Sequence, residues 1–437
     1  MRQTRSTRWW IVGGLALVEL LVCVGIVLAL WTARAGLGRL RLFYVADTHV
    51  EETLEEVFVV DGPAVLDLDA DFSDVTVTGS EGDEVEVVAR LSLWGTDEAD
   101  ARRQVDVQMS QEGNRIVVRV LLPESIYALV TDTRGSRVDF EVRVPFETAL
   151  KLVTSSGDVT VRDTAGAMQL DTSFGSIQVE DVSGTLDAQS SSGDVTVAGV
   201  SDGGALKAET EFGQLVLRDI DADSLDTHSG SGDVELEGIT LAGALDVETN
   251  FGGVTVRDVS ADHLSARSRS GGILAEEVTL DGALDLEAEF GDVAVRGTDA
   301  AAYRLSSGSG SLTLDGCGGP LDLQAEFGDI EVTDATEAEL ALNTNSGGVY
   351  FSGSLSAEGE HRVESGFGDV HLLLPADAAF DLDADTEFGS IETDFAVTMT
   401  EFDANHIVGQ VNGGGPLLWV HTNSGGITLE RMAGGSN

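Results

Sequence analysis

From residue 150 onward, apolar residues recur with period two on both sides of a glycine, and the block itself repeats. Aligned on that glycine, the chain shows Gly157, Gly175, Gly193, Gly213, Gly232, Gly252, Gly271, Gly291, Gly310, Gly328, Gly347, Gly368, Gly389 and Gly425. Intervals are 18–21 residues except the last, which spans two units with Gly409 between. Seven residues before the glycine stands an aliphatic residue such as Leu186, Leu245 or Leu284, with Tyr303 and His361 as exceptions. Two residues after it comes Val or Ile, as in Val195, Val254 and Ile330.

This pattern predicts a strand, a tight turn, a second strand and a looser turn. In the run ALDVETNFGGVTVRDV, Leu245, Val247, Val254 and Val256 are expected to face inward while charged residues face solvent. One unit cannot bury its apolar face alone, so the units must stack into a β-solenoid. The glycine is expected to supply a backbone conformation costly to other residues.

A second period overlies the first. Immediately before the glycine, Ser156, Phe174, Ser192, Phe212, Ser231, Phe251, Ser270, Phe290, Ser309, Phe327 and Ser346 alternate, followed by Phe367 and Phe388. Their parity matches the inward leucines, which predicts that the phenylalanines plug the core. Like-on-like stacking favours two units per coil, with one unit per coil as the alternative.

Residues 57–149 keep short period-two runs but lose the repeat, and read as a β-rich N-terminal cap ahead of a solenoid over 150–432. Within this cap, Asp67–Gly79 resembles a degenerate unit and Asp97–Ser110 could form a short helix. Residues 433–437 read as a disordered tail.

Before the cap lie a tail (1–8), an apolar segment (9–31) and a juxtamembrane linker (32–56). The segment WWIVGGLALVELLVCVGIVLALW has the length of a transmembrane helix and flanking tryptophans; cleavage at Ala33-x-Ala35 is the alternative. Arginines flank it almost equally, at Arg2, Arg5 and Arg8 and at Arg34, Arg39 and Arg41. The expected topology is a single pass in the cell membrane, N-terminus inside and the rest outside. Glu19, in mid-span, shares a helix face with Ala16 and Cys23 and is either a packing site or an idle protonated acid.

The 437 residues carry a net charge of -51, which excludes nucleic acid as a partner and favours cations or basic partners. The two cysteines, Cys23 and Cys317, form no disulfide framework.

The phrases SSGDVTV, SFGSIQV and SGSGDVELEG resemble the DUF4097 family of β-repeat adhesin-like proteins. So do the strand ending at Pro145 and the closing NGGGPLLWVHTNSGGITLER, and the resemblance covers residues 57–431. It implies a β-helix-like fold, a prokaryotic envelope location and no established catalytic residues.

No metalloprotease, hydrolase, P-loop or dinucleotide motif is present, and the seven histidines lack ligand spacing. The one candidate constellation is the aspartate after the turn glycine: Asp158, Asp194, Asp233, Asp292, Asp329 and Asp369. Stacked, these could bind a cation weakly or act on a glycan. Gly253, Gly272, Ser176 and Ser311 interrupt the column, and aspartate is a good turn residue, so turn chemistry is the expected role. No catalytic, cofactor or metal residue is assigned. The expected function is that of a non-enzymatic envelope protein whose partner is a protein, a glycan or itself. A cytoplasmic-facing scaffold polymerising through its ends and a carbohydrate-active enzyme are the rivals.

Overall fold

The computed structural model describes residues 48–121 and 136–432. The tail, the expected span at 9–31, most of the linker, Glu19, Cys23 and the tail from 433 lie outside them. Among the described residues no helix is long and apolar enough to cross a membrane. They divide into a larger unit (51–92, 105–121, 137–432) and a smaller one (48–50, 93–104, 136). In the smaller unit the expected helix shrinks to Glu98–Ala101, capped by the Asp97 carboxylate on the Asp100 amide.

The larger unit is an all-β solenoid of parallel coils. Each repeat makes one coil. Strand Met168–Phe174 pairs with Thr148–Ser156 on one side and with Ile177–Ser192 on the other, so Leu150, Met168 and Leu186 are vertical neighbours. The same unit-to-unit register continues through Leu206, Leu225, Leu245, Leu264, Leu284, Tyr303, Leu321 and Leu340. The two-unit coil is therefore ruled out. The double period survives as a difference between alternate coils in what they show at the surface. On the outer face, for example, Arg218, Glu237, Arg257, Glu276 and Arg296 alternate in register, and Glu276 pairs with the arginines above and below at 2.9 and 3.1 Å.

Three short runs per coil face the interior. In the coil after Gly243 these are Leu245–Val247–Thr249, Val254–Val256 and Val259–Ala261, all buried. The corner between the second and third runs lies six residues after the turn glycine. Asp163, Asp181, Gly199, Asp219, Gly238, Asp258, Glu277, Gly297, Gly316 and Asp334 stand there, all left-handed with φ of 50–72°. Gly, Asp and Asn tolerate that region best, which accounts for most of the choices.

The turn glycines have a different reason. Most are not left-handed; a Cβ on Gly252 would instead lie 2.2 Å from the carbonyl oxygen of Gly232 in the preceding coil. The same clash, at 1.9–2.2 Å, recurs from Gly157 to Gly425. Close approach of coil to coil, and not backbone conformation, demands glycine. In most coils the glycine carbonyl is covered by a hydroxyl three residues before the next glycine, with Ala288 and Ala325 as exceptions: Ser190 donates to Gly175, Thr210 to Gly193, Ser268 to Gly252 and Thr344 to Gly328, each at 2.9 Å. These hydroxyls satisfy a buried acceptor that would otherwise be costly.

At the N-terminal end, Ala64–Ala70 and Val75–Ser80 form the degenerate coil, stacked on Thr148–Ser156 and Val159–Arg162. Beyond it lie Arg115–Leu121 and Arg137–Pro145, each also paired to an antiparallel strand. Asp67, buried here, accepts hydrogen bonds from Arg115 and Arg119. Burial raises its pKa, but the two guanidinium partners outweigh that and hold it below the usual value.

The C-terminal end departs from chain order. The coil at His361–Leu374 is followed in sequence by Phe380–Thr393, yet the two are not adjacent. Between them sits the last unit, Leu417–Ser424 with Ile427–Arg431, paired in parallel to both. The chain skips a level, reverses through the antiparallel strands Val397–Asp403 and His406–Val411, and fills the gap last.

Candidate interaction surface

The corner before the turn glycine carries the most unusual surface. Phe174, Phe212, Phe251, Phe290, Phe327, Phe367 and Phe388 are 60–75% exposed. This overturns the inward assignment. The strand alternates correctly through Leu245, Val247 and Thr249, but the chain turns the corner at Gly252, so Phe251 points out of the coil although its parity is inward. Period-two extrapolation fails where the strand ends.

The alternation is stricter in space than in sequence. Register places Ser346 beside Phe367, Phe367 beside Ser424, and Ser424 beside Phe388. The skipped level thus inserts a serine between two phenylalanines that are consecutive in the sequence pattern. At the other end Phe72 (55% exposed) precedes Ser73, whose carbonyl meets Gly157 as the glycine carbonyls meet each other above. The spatial file therefore begins Phe72, Ser156, Phe174 and ends Phe367, Ser424, Phe388. Eight exposed phenylalanines are separated by seven serines, and half of the chain's 16 phenylalanines stand in one column.

With coils ~4.8 Å apart, successive rings stand ~9.6 Å apart along the file. The serines leave gaps; at the one between Phe290 and Phe327 an open groove of about 620 Å³ is lined by Gly308 and Ser309 and extends along the strands to Asn343 and Asn345 of the coil beyond Phe327. At the middle of the file the flanking side chains alternate too. Glu287 and Glu289 flank Phe290, whereas Arg267 and Arg269 flank Ser270, with Arg267 and Glu287 3.2 Å apart.

The aspartates after the turn glycine bond backbone amides, but those of the next coil and not of their own turn. Asp158, Asp194, Asp233 and Asp292 each accept the amide of the residue after the next coil's glycine at 2.8 Å. Asp329 and Asp369 do so at 2.7 Å, the latter from Gly426 of the inserted unit. Their carboxylates staple coil to coil. Among the described residues no group of three or more His, Cys, Asp or Glu is arranged to hold a metal ion.

The histidines stay dispersed. His361 fills the leucine slot in the core, where its Nδ1 faces the Leu340 amide and its Nε2 the Ser356 carbonyl. Burial pushes its pKa down. His406, on the reversing strand, bonds Asp383 at 2.9 Å, and that partner raises its pKa. Cys317 is buried and unpaired, its pKa pushed up to about 12 chiefly by desolvation. Tyr303, also in the leucine slot, donates to the Thr298 carbonyl at 2.6 Å.

Sequence reasoning singled out the Ser/Phe alternation but placed it on the wrong side. It missed the buried hydroxyl file, although Ser or Thr three residues before the glycine was the available signal.

The Toastrack DUF4097 family profile matches residues 65–202, 184–326 and 319–430. Among solved structures, a candidate cell adhesion protein from Clostridium sporogenes is similar at 8% identity and a TM-score of 0.16, over 87% of this chain and all of that one. A candidate adhesin from Bacteroides fragilis is similar at 9% identity and a TM-score of 0.25, over 71% of this chain and 99% of that one. No curated protein matches the sequence.

Proposed function

Since the chain belongs to the Toastrack DUF4097 family, we propose that it is a non-enzymatic interaction protein of the cell envelope. In this reading residues 9–31 anchor it in the membrane, the acidic solenoid stands outside, and the phenylalanine file is its contact surface. The observation that carries the reading is that file. Eight aromatic rings held more than half exposed, in strict alternation, lie far above the scattered apolar residues of an ordinary surface. A catalytic reading has no such support, because the aspartates it would need are engaged in backbone hydrogen bonds.

Two measurements test it. Protease added to intact cells should remove the solenoid; full protection would move it to the cytoplasmic side. A photo-crosslinking residue at Phe251 in the full-length chain should give adducts in cells, whereas one at Thr255 on the neighbouring strand should not. Equal or absent adducts at the two positions would remove the contact surface.

A further inference from the structure

We propose that the partner of the phenylalanine file is a second copy of the same file, the two chains running antiparallel with the rings of each seated in the serine gaps of the other. This rests on the reading above that the file is a contact surface, and names what covers it.

Period is the first argument. A ligand with its own repeat drifts out of register with rings ~9.6 Å apart. A polyproline II turn advances ~9.3 Å and a heptad of α-helix ~10.5 Å, so over seven ring-to-ring steps they slip by roughly 2 Å and 6 Å. A second copy has the same period by identity and slips nowhere.

Symmetry is the second. A two-fold axis perpendicular to the file, placed between a serine level and a phenylalanine level, sets every phenylalanine that has a counterpart opposite a serine. With the axis between Ser270 and Phe290, Phe290 meets Ser270 of the second copy, Phe251 meets Ser309, and Phe388 meets Ser156. Such a contact is isologous and closes as a dimer. It works throughout only because the inserted unit supplies Ser424 between Phe367 and Phe388. Without that serine the last ring would fall out of step.

Area and charge are the third and fourth. A phenylalanine offers on the order of 150–250 Å². The seven rings that find a counterpart, about three-fifths exposed, present roughly 850 Å² per copy, so pairing buries on the order of 1,700 Å², the range of stable specific interfaces. About the chosen axis, Arg267 and Arg269 beside Ser270 face the level of Glu287 and Glu289 in the second copy, so the basic group flanking the file meets an acidic one. The overall charge of -51 opposes approach, which makes pairing tighten as salt screens it.

The test uses the full-length chain, one per lipid nanodisc, with the mass of particles followed against concentration and salt. The wild type should pair discs, more tightly at higher salt. Replacing the central rings (Phe251→Ser, Phe290→Ser, Phe327→Ser) should weaken pairing at least tenfold. Filling the gaps (Ser270→Phe, Ser309→Phe) should weaken it as much, although it adds apolar surface. Hydrogen exchange at the Leu264 and Leu284 amides checks that both variants keep the coils. Single discs at every salt concentration would overturn the proposal, and so would tighter pairing on filling the gaps, which marks a non-specific apolar patch. Phe251 adducts from discs that stay single would leave the contact surface standing with a different partner. Absence of adducts would take the wider reading down as well.

Discussion

Gly252→Ala and Gly253→Ala change adjacent glycines by one methyl group, and the structure expects opposite outcomes. At Gly252 the new Cβ lies 2.2 Å from the Gly232 oxygen and 2.5 Å from its carbon. Reaching ordinary contact requires the two coils to part by about 1 Å. Among the hydrogen bonds that cross that junction, three involve the two glycines' immediate surroundings: Gly232 amide to Phe251 carbonyl at 2.8 Å, Thr249 hydroxyl to Gly232 carbonyl at 3.1 Å, and Gly253 amide to Asp233 carboxylate at 2.8 Å. At roughly 1–1.5 kcal/mol each, their loss costs on the order of 3–5 kcal/mol. At Gly253 the nearest atoms are the Gly272 oxygen at 3.4 Å and an Asp233 oxygen at 3.7 Å, both ordinary contacts. The second change should therefore fall within about 1 kcal/mol of neutral. A repeat stack need not unfold in one step, so a global melting temperature is a poor readout. Hydrogen exchange reports the junction itself. Amides of residues 232–254 should exchange on the order of a thousandfold faster in Gly252→Ala, by about tenfold per 1.4 kcal/mol, and nearly unchanged in Gly253→Ala. Equal protection in the two variants would refute the claim that coil-to-coil approach fixes the glycine.

Three further expectations follow from the same geometry. Phe290→Ala should alter stability by less than about 1 kcal/mol, because the ring is 60% exposed; a core-sized loss of 3 kcal/mol or more in denaturant would restore the inward assignment. Glu277→Gly relieves a left-handed glutamate at φ 56° and should stabilise its coil by roughly 0.5–1 kcal/mol, read as slower exchange at Val278. His361 has a lowered folded pKa, so its contribution is complete above the unfolded value of ~6.5 and is lost as pH falls from there through the folded pKa. Protection of residues 361–374 should drop on acidification in the wild type and not in His361→Leu, and pH-independent protection in both would contradict the buried neutral imidazole.

Much of the fold was legible because it rests on local repetition. Leu245, Val247, Val254 and Val256 face inward as their alternation requires. What failed depended on relations between coils. Phe251 shares the parity of Leu245, and only the three-dimensional corner turns it outward. One unit per coil follows from which strands pair, and no single unit encodes that. The order of the last two levels was equally hidden, since Phe380–Phe388 and Leu417–Ser424 carry the same pattern and either could have stacked on His361–Phe367. The candidate surface was half visible: its composition could be read in one dimension, its exposure and its unbroken alternation could not.

The out-of-order last level has a consequence for synthesis. A chain released progressively, from a ribosome or through a translocation pore, can lay down each coil from Met168 onward on the one before it until His361–Leu374. The next segment, Phe380–Thr393, has only the reversing strand His406–Val411 beside it until Leu417–Arg431 appears. Until then two strand edges stay open, and the most accessible wrong pairing sets Phe388 directly beside Phe367. The molecule can close correctly only once almost its whole length is available. A prematurely terminated chain is therefore left with an unpaired strand edge, a template for pairing with another chain.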